Sequence, residues 1–185
     1  MGEALRDARE AGLRGEVPIG AVLVGDGRIL GRGGNATEAL QDPTVHAEML
    51  AIRQAAAVVG SRRLLSTTLY ATLEPCAMCA GAIVLARIPR LVFAADDAKT
   101  GACGSLRNVV EDSRLNHRCE VRSGVLVEEC SDLLKDFFAA LRSAKYTDIA
   151  EYRLRRGARV VEWAGLENQC GRTVTEGSNP SLSAI

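Results

Sequence analysis

From Gly2 to Leu13, apolar and charged residues alternate at helical spacing with no breaker, which predicts an opening helix. Pro18 to Val24 (Pro-Ile-Gly-Ala-Val-Leu-Val) is a short apolar run ending at Gly25-Asp26-Gly27, a hairpin turn signal. The return strand is expected over Arg28 to Gly33. Asp42-Pro43-Thr44 then opens a stretch dense in Ala, Leu, Ile and Met, predicting a helix over His46 to Val59. Thr68 to Leu73 is β-rich. Pro75 precedes an Ala-rich segment, Cys76 to Ala86, with proline at a favourable helix entry. Arg90 to Ala95 reads as a buried strand and Cys119 to Val125 as a further one. Glu128 to Ala144 sets Leu133, Leu134, Phe137, Phe138 and Leu141 on one stripe and predicts a closing helix.

Helices that alternate with strands in this order predict a layered α/β domain with helices on both faces of the sheet, complete by about residue 145. Residues 146–185 differ. Tyr146 to Arg159 is compatible with an extension of the last helix, but from Gly165 onwards periodicity is lost and turn formers dominate. Gly177-Ser178-Asn179-Pro180 is also what the T-loop of a tRNA gene spells in one reading frame. The 146–185 segment is therefore expected to be a disordered or non-native C-terminal tail, an overrun of the reading frame that the downstream nucleotide sequence would reveal.

Composition narrows the class. An apolar share of 47% and a charged share of 25% exclude a mostly disordered, collagen-like or fibrous chain. Basic and acidic residues balance at 23 each, which argues against bulk-charge binding of nucleic acid and leaves room for a local basic patch. Met1 to Asp7 carries acids and lacks the apolar run of a signal peptide, and no stretch approaches the ~18 apolar residues of a membrane span. A cytoplasmic protein with reduced thiols is expected. Its six cysteines then read as metal-binding, catalytic or small core residues rather than as disulfides, and the only histidines are His46 and His117.

The residues that change the picture are His46-Ala47-Glu48 and Pro75-Cys76-Ala77-Met78-Cys79. Two cysteines three apart at a helix start can share a metal ion, their thiolates favoured by the helix dipole and the free N–H groups there. Alone, such a pair is equally compatible with core thiols, a redox couple or a zinc ribbon. His46, at another predicted helix start, supplies a third ligand, and three protein ligands leave the open position that a catalytic zinc keeps for water. Glu48, two residues on, is placed to take that water's proton and deliver it to a leaving group. Singly, His46 reads as a satisfied structural histidine and Glu48 as a solvated helix residue. Together, the H-x-E and P-C-x-x-C spacings match the zinc nucleobase deaminases. Cys103, Cys119, Cys130 and Cys170 lie at scattered spacings and read as bystanders, with Cys103 and His117 the only rivals for a fourth ligand.

At these residues the chain resembles the bacterial tRNA-specific adenosine deaminases, within the cytidine and deoxycytidylate deaminase superfamily. The likeness includes Glu16 to Val24, Asp42 to Glu48, Leu69 to Ala82, Asp97 to Leu106, Leu115 to Arg118 and Asp136 to Phe138, and runs to about Arg142. Asp97 to Leu106 discriminates most, because deaminases of cytidine, guanine or pyrimidine precursors share the zinc residues and lack this stretch. The resemblance implies a cytidine-deaminase-like three-layer α/β/α sandwich around a five-stranded mixed sheet. It also implies a homodimer in which the helix holding Cys76 to Ile83 packs at the interface, and one zinc ion per subunit on His46, Cys76 and Cys79. The implied reaction converts the wobble adenosine of a tRNA anticodon, that of an arginine tRNA, to inosine, with Glu48 as proton shuttle. Asn35 is implied to contact the flipped base, although it also suits a turn after Gly33-Gly34. Ala47 would offer backbone groups, and Asp97, Lys99 and Thr100 would line a nucleic-acid-facing loop. Phe138 would stack on a loop base, since Phe137 and Phe138, ~100° apart on a helix, cannot both face the core. The alternatives are a free-base or nucleotide deaminase acting on guanine, cytosine or a pyrimidine precursor, a non-catalytic zinc module, and a redox protein using Cys76 and Cys79.

Overall fold

The computed structural model describes residues 1–156, and side chains through residue 144. Two compact units divide the chain, Met1–Arg142 and Ser143–Ile185, and the sheet lies in the first. Most of the expected 146–185 tail lies outside the described residues, although the last helix is described as far as Arg156.

The elements are α1 (Gly2–Leu13), β1 (Gly20–Gly25), β2 (Arg28–Gly34), α2 (Thr37–Leu40), α3 (Ala47–Val59), β3 (Thr67–Leu73), α4 (Ala77–Leu85), β4 (Arg90–Ala95), β5 (Glu120–Arg122) and α5 (Val127–Arg156). The sheet order is β2-β1-β3-β4-β5, antiparallel across the first three strands and parallel across the last three. This is the expected five-stranded mixed sheet. The hairpin closes through Asp26 (φ 48°) and Gly27 (φ 71°), both in the left-handed region that a two-residue type I′ turn requires. The short helix α2 is absent from the hydrophobic pattern, and β5 is shorter than the expected Cys119 to Val125 because positive φ at Gly124 and Leu126 turns the chain out of the sheet.

Register sorts the side chains into layers. Ala21, Leu23, Leu69, Ala71, Leu91 and Phe93 share one face, packed on Ala51, Ile52 and Ala55 of α3 and Ala80, Ile83 and Val84 of α4. On the opposite face Ala94 meets Leu5 of α1 with Cys130 and Leu133 of α5. The result is the expected three-layer α/β/α sandwich. Each large apolar side chain so buried contributes about 1.5–3 kcal/mol.

The helices approach the hairpin strands closely because glycine faces them. A Cβ on Gly31 would run into Ala51 O and lie 2.7 Å from Ala55 N, both backbone atoms of α3 that cannot swing aside. Gly31→Ala is expected to cost about 3 kcal/mol through overpacking, read as a lower urea midpoint at unchanged m-value. No described helix is long and apolar enough to cross a membrane.

Candidate active site

The site forms where α3 and α4 begin, at the carboxyl end of β3. Glu74 N–H donates to Ala95 O at 2.8 Å, so the chain leaves β3 beside the end of β4, and Pro75 then admits α4. His46 is the N-cap of α3 and Cys76 the N-cap of α4, both with extended backbone and neither making a side-chain capping bond. Ser, Thr, Asp or Asn at such positions stabilises a helix by about 1 kcal/mol relative to alanine. His46 and Cys76 forgo that and turn towards each other instead.

Cys76 Sγ and Cys79 Sγ each lie 3.6 Å from His46 Nδ1. The three donor atoms all fall within 4.8 Å of one another. A tetrahedral ion with metal–sulfur bonds of about 2.3 Å and metal–nitrogen bonds of about 2.0–2.1 Å has ligand atoms about 3.6 Å apart along an N···S edge. The donor set and its spacing therefore fit a metal ion, with three protein ligands and a fourth position free for another group.

The electrostatics agree. The Cys79 thiol and then the His46 ring, hydrogen-bonded to Cys76, hold its thiol down to about 4, so Cys76 is a thiolate. The same contact with Cys76, followed by burial, pushes Cys79 upward. His46 is raised by its bond to Cys76, against the effect of burial. Glu48, in the first turn of α3, is 4% exposed. Burial pushes its carboxyl up, opposed by its own backbone N–H and by His46, and the Cys79 side chain is within its hydrogen-bonding reach. A buried carboxyl with a raised pKa beside a set of metal-ligating side chains is equipped to carry a proton.

The other expected residues are engaged to different degrees. Asn35, 5% exposed, accepts the Ala47 N–H on Oδ1 at 3.2 Å, which ties the end of β2 to the first turn of α3. Asp97 spends its carboxylate on its own loop, accepting from the N–H groups of Lys99 (2.9 Å) and Thr100 (3.2 Å) and from the Thr100 hydroxyl. Lys99 and Thr100 themselves are exposed. Phe138 is exposed and Phe137 half-buried, their rings edge-to-face with centroids 5.5 Å apart; both sit on α5, in the layer across the sheet from α3 and α4. The rivals for a fourth ligand are engaged elsewhere: His117 Nε2 bonds Ile88 O at 2.8 Å, and the buried Cys103 thiol donates to Pro75 O at 3.7 Å.

Two carboxylates escape sequence reasoning. Glu74, between β3 and Cys76, and Glu16, before β1, are both buried. Glu16 accepts the N–H groups of Glu38 (3.2 Å) and Ala39 (2.7 Å) and the Thr37 hydroxyl (3.3 Å), and so anchors α2 just after Asn35. Burial pushes its pKa up, but the Ala39, Glu38 and Thr37 bonds outweigh this and hold it below the ordinary 4.5. A carboxyl depressed in the folded state adds stability above its unfolded pKa and loses it as pH falls through the folded value. The stability advantage of the native chain over Glu16→Gln is thus expected to be full at neutral pH and to shrink below pH 4.5 in denaturant titrations. A difference that stays constant to pH 3 would refute this.

Fold and site together define a deaminase of the nucleobase type, with a His/Cys/Cys cluster suited to a metal. The profile of the MafB19-like deaminase family matches residues 1–142. The tRNA-specific adenosine deaminase of Bacillus subtilis is 51% identical over 145 residues, 78% of this chain and 90% of that one. Its counterpart from Haemophilus influenzae is 53% identical over 146 residues, 78% and 84% of the two chains. A structure solved in studies of A-to-I editing by tRNA:A34 deaminases at the wobble position of transfer RNA is 49% identical with a TM-score of 0.68, covering 71% of this chain and 95% of that one. The guanine deaminase of Nitrosomonas europaea shares the fold at 23% identity and a TM-score of 0.65, over 75% of this chain and 82% of its own. The chain belongs to the tRNA-specific adenosine deaminase family.

Proposed function

We propose that this protein hydrolyses adenosine to inosine and ammonia at the wobble position of a tRNA anticodon, with one zinc ion per subunit on His46, Cys76 and Cys79. The observation that carries the reading is the buried Glu48 in the first turn of α3, two residues after His46, which gathers with Cys76 and Cys79 of α4 into a three-donor cluster. A fold shared with a guanine deaminase does not choose the substrate. What favours RNA is the identity of about half the residues with tRNA-specific relatives, 51% over 145 residues and 53% over 146.

Zinc in a three-ligand site supplies Lewis acidity, which brings the ionisation of a water into the neutral range. Glu48 takes one proton from the attacking water as its oxygen bonds to C6 and passes that proton to N1 of adenine. It then takes the second proton from the C6 hydroxyl and delivers it to the amino group, so that the C6–N bond breaks, the C6 carbonyl forms and ammonia leaves. Asn35, its Oδ1 engaged by Ala47, keeps its Nδ2 hydrogens for an acceptor on the flipped base. Ala47 sets that orientation. Asp97 shapes the loop that presents Lys99 to phosphate and Thr100 to the RNA backbone. Phe138 offers a ring for stacking, worth about 1–3 kcal/mol per base.

A homodimer completes the reading: α4 carries Leu85, 74% exposed, on an outer face that includes half-buried Met78, Gly81 and Ala82. Residues 1–145 act as the deaminase domain, in the cytoplasm, on an arginine tRNA. The test is an assay on an anticodon stem-loop with adenosine at the wobble position, with inosine scored after nuclease digestion. Inosine formation is expected. Turnover of free cytidine or guanine in the absence of RNA would instead support a free-base or nucleotide deaminase.

A further inference from the structure

Glu74 has no part in that chemistry, yet its carboxylate is 2% exposed and accepts four hydrogen bonds. Oε1 accepts the backbone N–H groups of Cys103 (2.8 Å) and Ser105 (3.0 Å). Oε2 accepts the Asp97 N–H (3.0 Å) and the Ser105 hydroxyl. Every donor lies on the loop from Asp97 to Ser105, which also carries Lys99 and Thr100. Glu74 is fixed on the other side by its own N–H bond to Ala95 O, and it stands two residues before Cys76. The neighbouring backbone follows: Ala102 N–H donates to Pro75 O at 2.9 Å, and Cys76 pairs with Gly101 in an isolated antiparallel bridge. A Cβ on Gly101 would run into both the Glu74 carboxylate and the Asp97 backbone oxygen, so only glycine fits there.

The bonding pattern requires a carboxylate. Four donors converge on two oxygens, and glutamine would replace one oxygen with an NH2 group that faces other donors. At least one backbone N–H of the loop would then lose its acceptor, since only the Ser105 hydroxyl can turn round and accept from the NH2 group. We infer that Glu74 is a positioning residue for substrate RNA: it sets the height of the Asp97–Ser105 loop over the metal-holding start of α4, so that RNA held by the loop meets the reacting centre in register. The inference rests on the proposed reading that this loop faces the anticodon.

Three variants and two readouts test it in the full chain. Glu74→Gln is expected to raise KM for the anticodon stem-loop about tenfold with kcat within about threefold, the pattern of lost binding rather than lost chemistry. Metal content is expected to stay unchanged. Ser105→Ala, which removes one donor and leaves the carboxylate, is expected to give a smaller rise in KM of about twofold. Amide hydrogen exchange reads the clamp without activity: in Glu74→Gln the amides of Asp97, Cys103 and Ser105 lose protection while those of Leu69 and Ala71 keep it. Unchanged protection or unchanged KM in Glu74→Gln overturns the inference, as does a fall in kcat with loss of metal, which would assign Glu74 to the metal site. Lys99→Ala checks the underlying reading separately. An unchanged KM there takes the loop out of the RNA interface, and the inference goes with it, whereas a raised KM beside a silent Glu74→Gln leaves the loop's role standing and removes only Glu74's.

Discussion

Replacing Glu48 by glutamine is expected to lower kcat on an anticodon stem-loop by about 10²–10⁴-fold, or roughly 2.7–5.5 kcal/mol of barrier, with metal and fold retained. Glutamine keeps the shape and volume of a residue that is 4% exposed, so packing under the first turn of α3 is preserved. It cannot accept and return a proton. His46, Cys76 and Cys79 are placed by the starts of two helices, and glutamine keeps a polar atom facing Cys79. Single-turnover inosine formation measures the loss, elemental analysis measures the metal, and thermal unfolding checks the fold. A variant that kept a tenth or more of native turnover with metal in place would show that another group moves the protons.

The site is more legible in the sequence than its supports are, for a physical reason. The proposed metal ligands and proton carrier must be particular residue types at particular offsets, so His46, Glu48, Cys76 and Cys79 are marked by identity and spacing. Two of them also break a local preference, histidine and cysteine standing where helices favour capping residues, and such conflicts collect at functional positions. Long amphipathic or apolar runs were equally readable: α1, β3, β4 and the Asp26-Gly27 hairpin all form within a residue or two of expectation. Glu16 and Glu74 were not. Their partners are mostly backbone N–H groups some 20–30 residues away, and an N–H leaves no trace in the residue type that carries it. Helix α2 escaped for the same reason, since four residues with no buried side chain are held by Glu16 rather than by a hydrophobic stripe. β5 is shorter than its apolar pattern because Val125 continues that pattern past Gly124, where a positive φ has already turned the chain out of the sheet.

Cys79→Ala is expected to abolish both metal binding and detectable deamination, and to lower thermal stability on the order of 10 °C. Cys79 is fully buried, one turn into α4, so its loss leaves Cys76 and His46 as two ligands on neighbouring helix starts with no third to close the set. A ligand present at about a thousand times its Kd stabilises the folded state by about 4 kcal/mol, and for a domain of this size 1 kcal/mol corresponds to about 3 °C in Tm. The alanine side chain itself opens only a small void, which costs far less than the lost metal. These two contributions separate by a cycle in Tm. A strong chelator is expected to bring the native protein down close to the level of Cys79→Ala and to leave the variant unmoved, because both changes remove the same bound ion and their effects do not add. Added zinc is expected to restore the chelated native protein and not the variant. If the chelator lowered both proteins equally, the stabilising ion would lie elsewhere. If it lowered neither, the three donors, with both sulfurs 3.6 Å from His46 Nδ1, would be a thiol–imidazole cluster without a metal, and deamination would need another source of activated water.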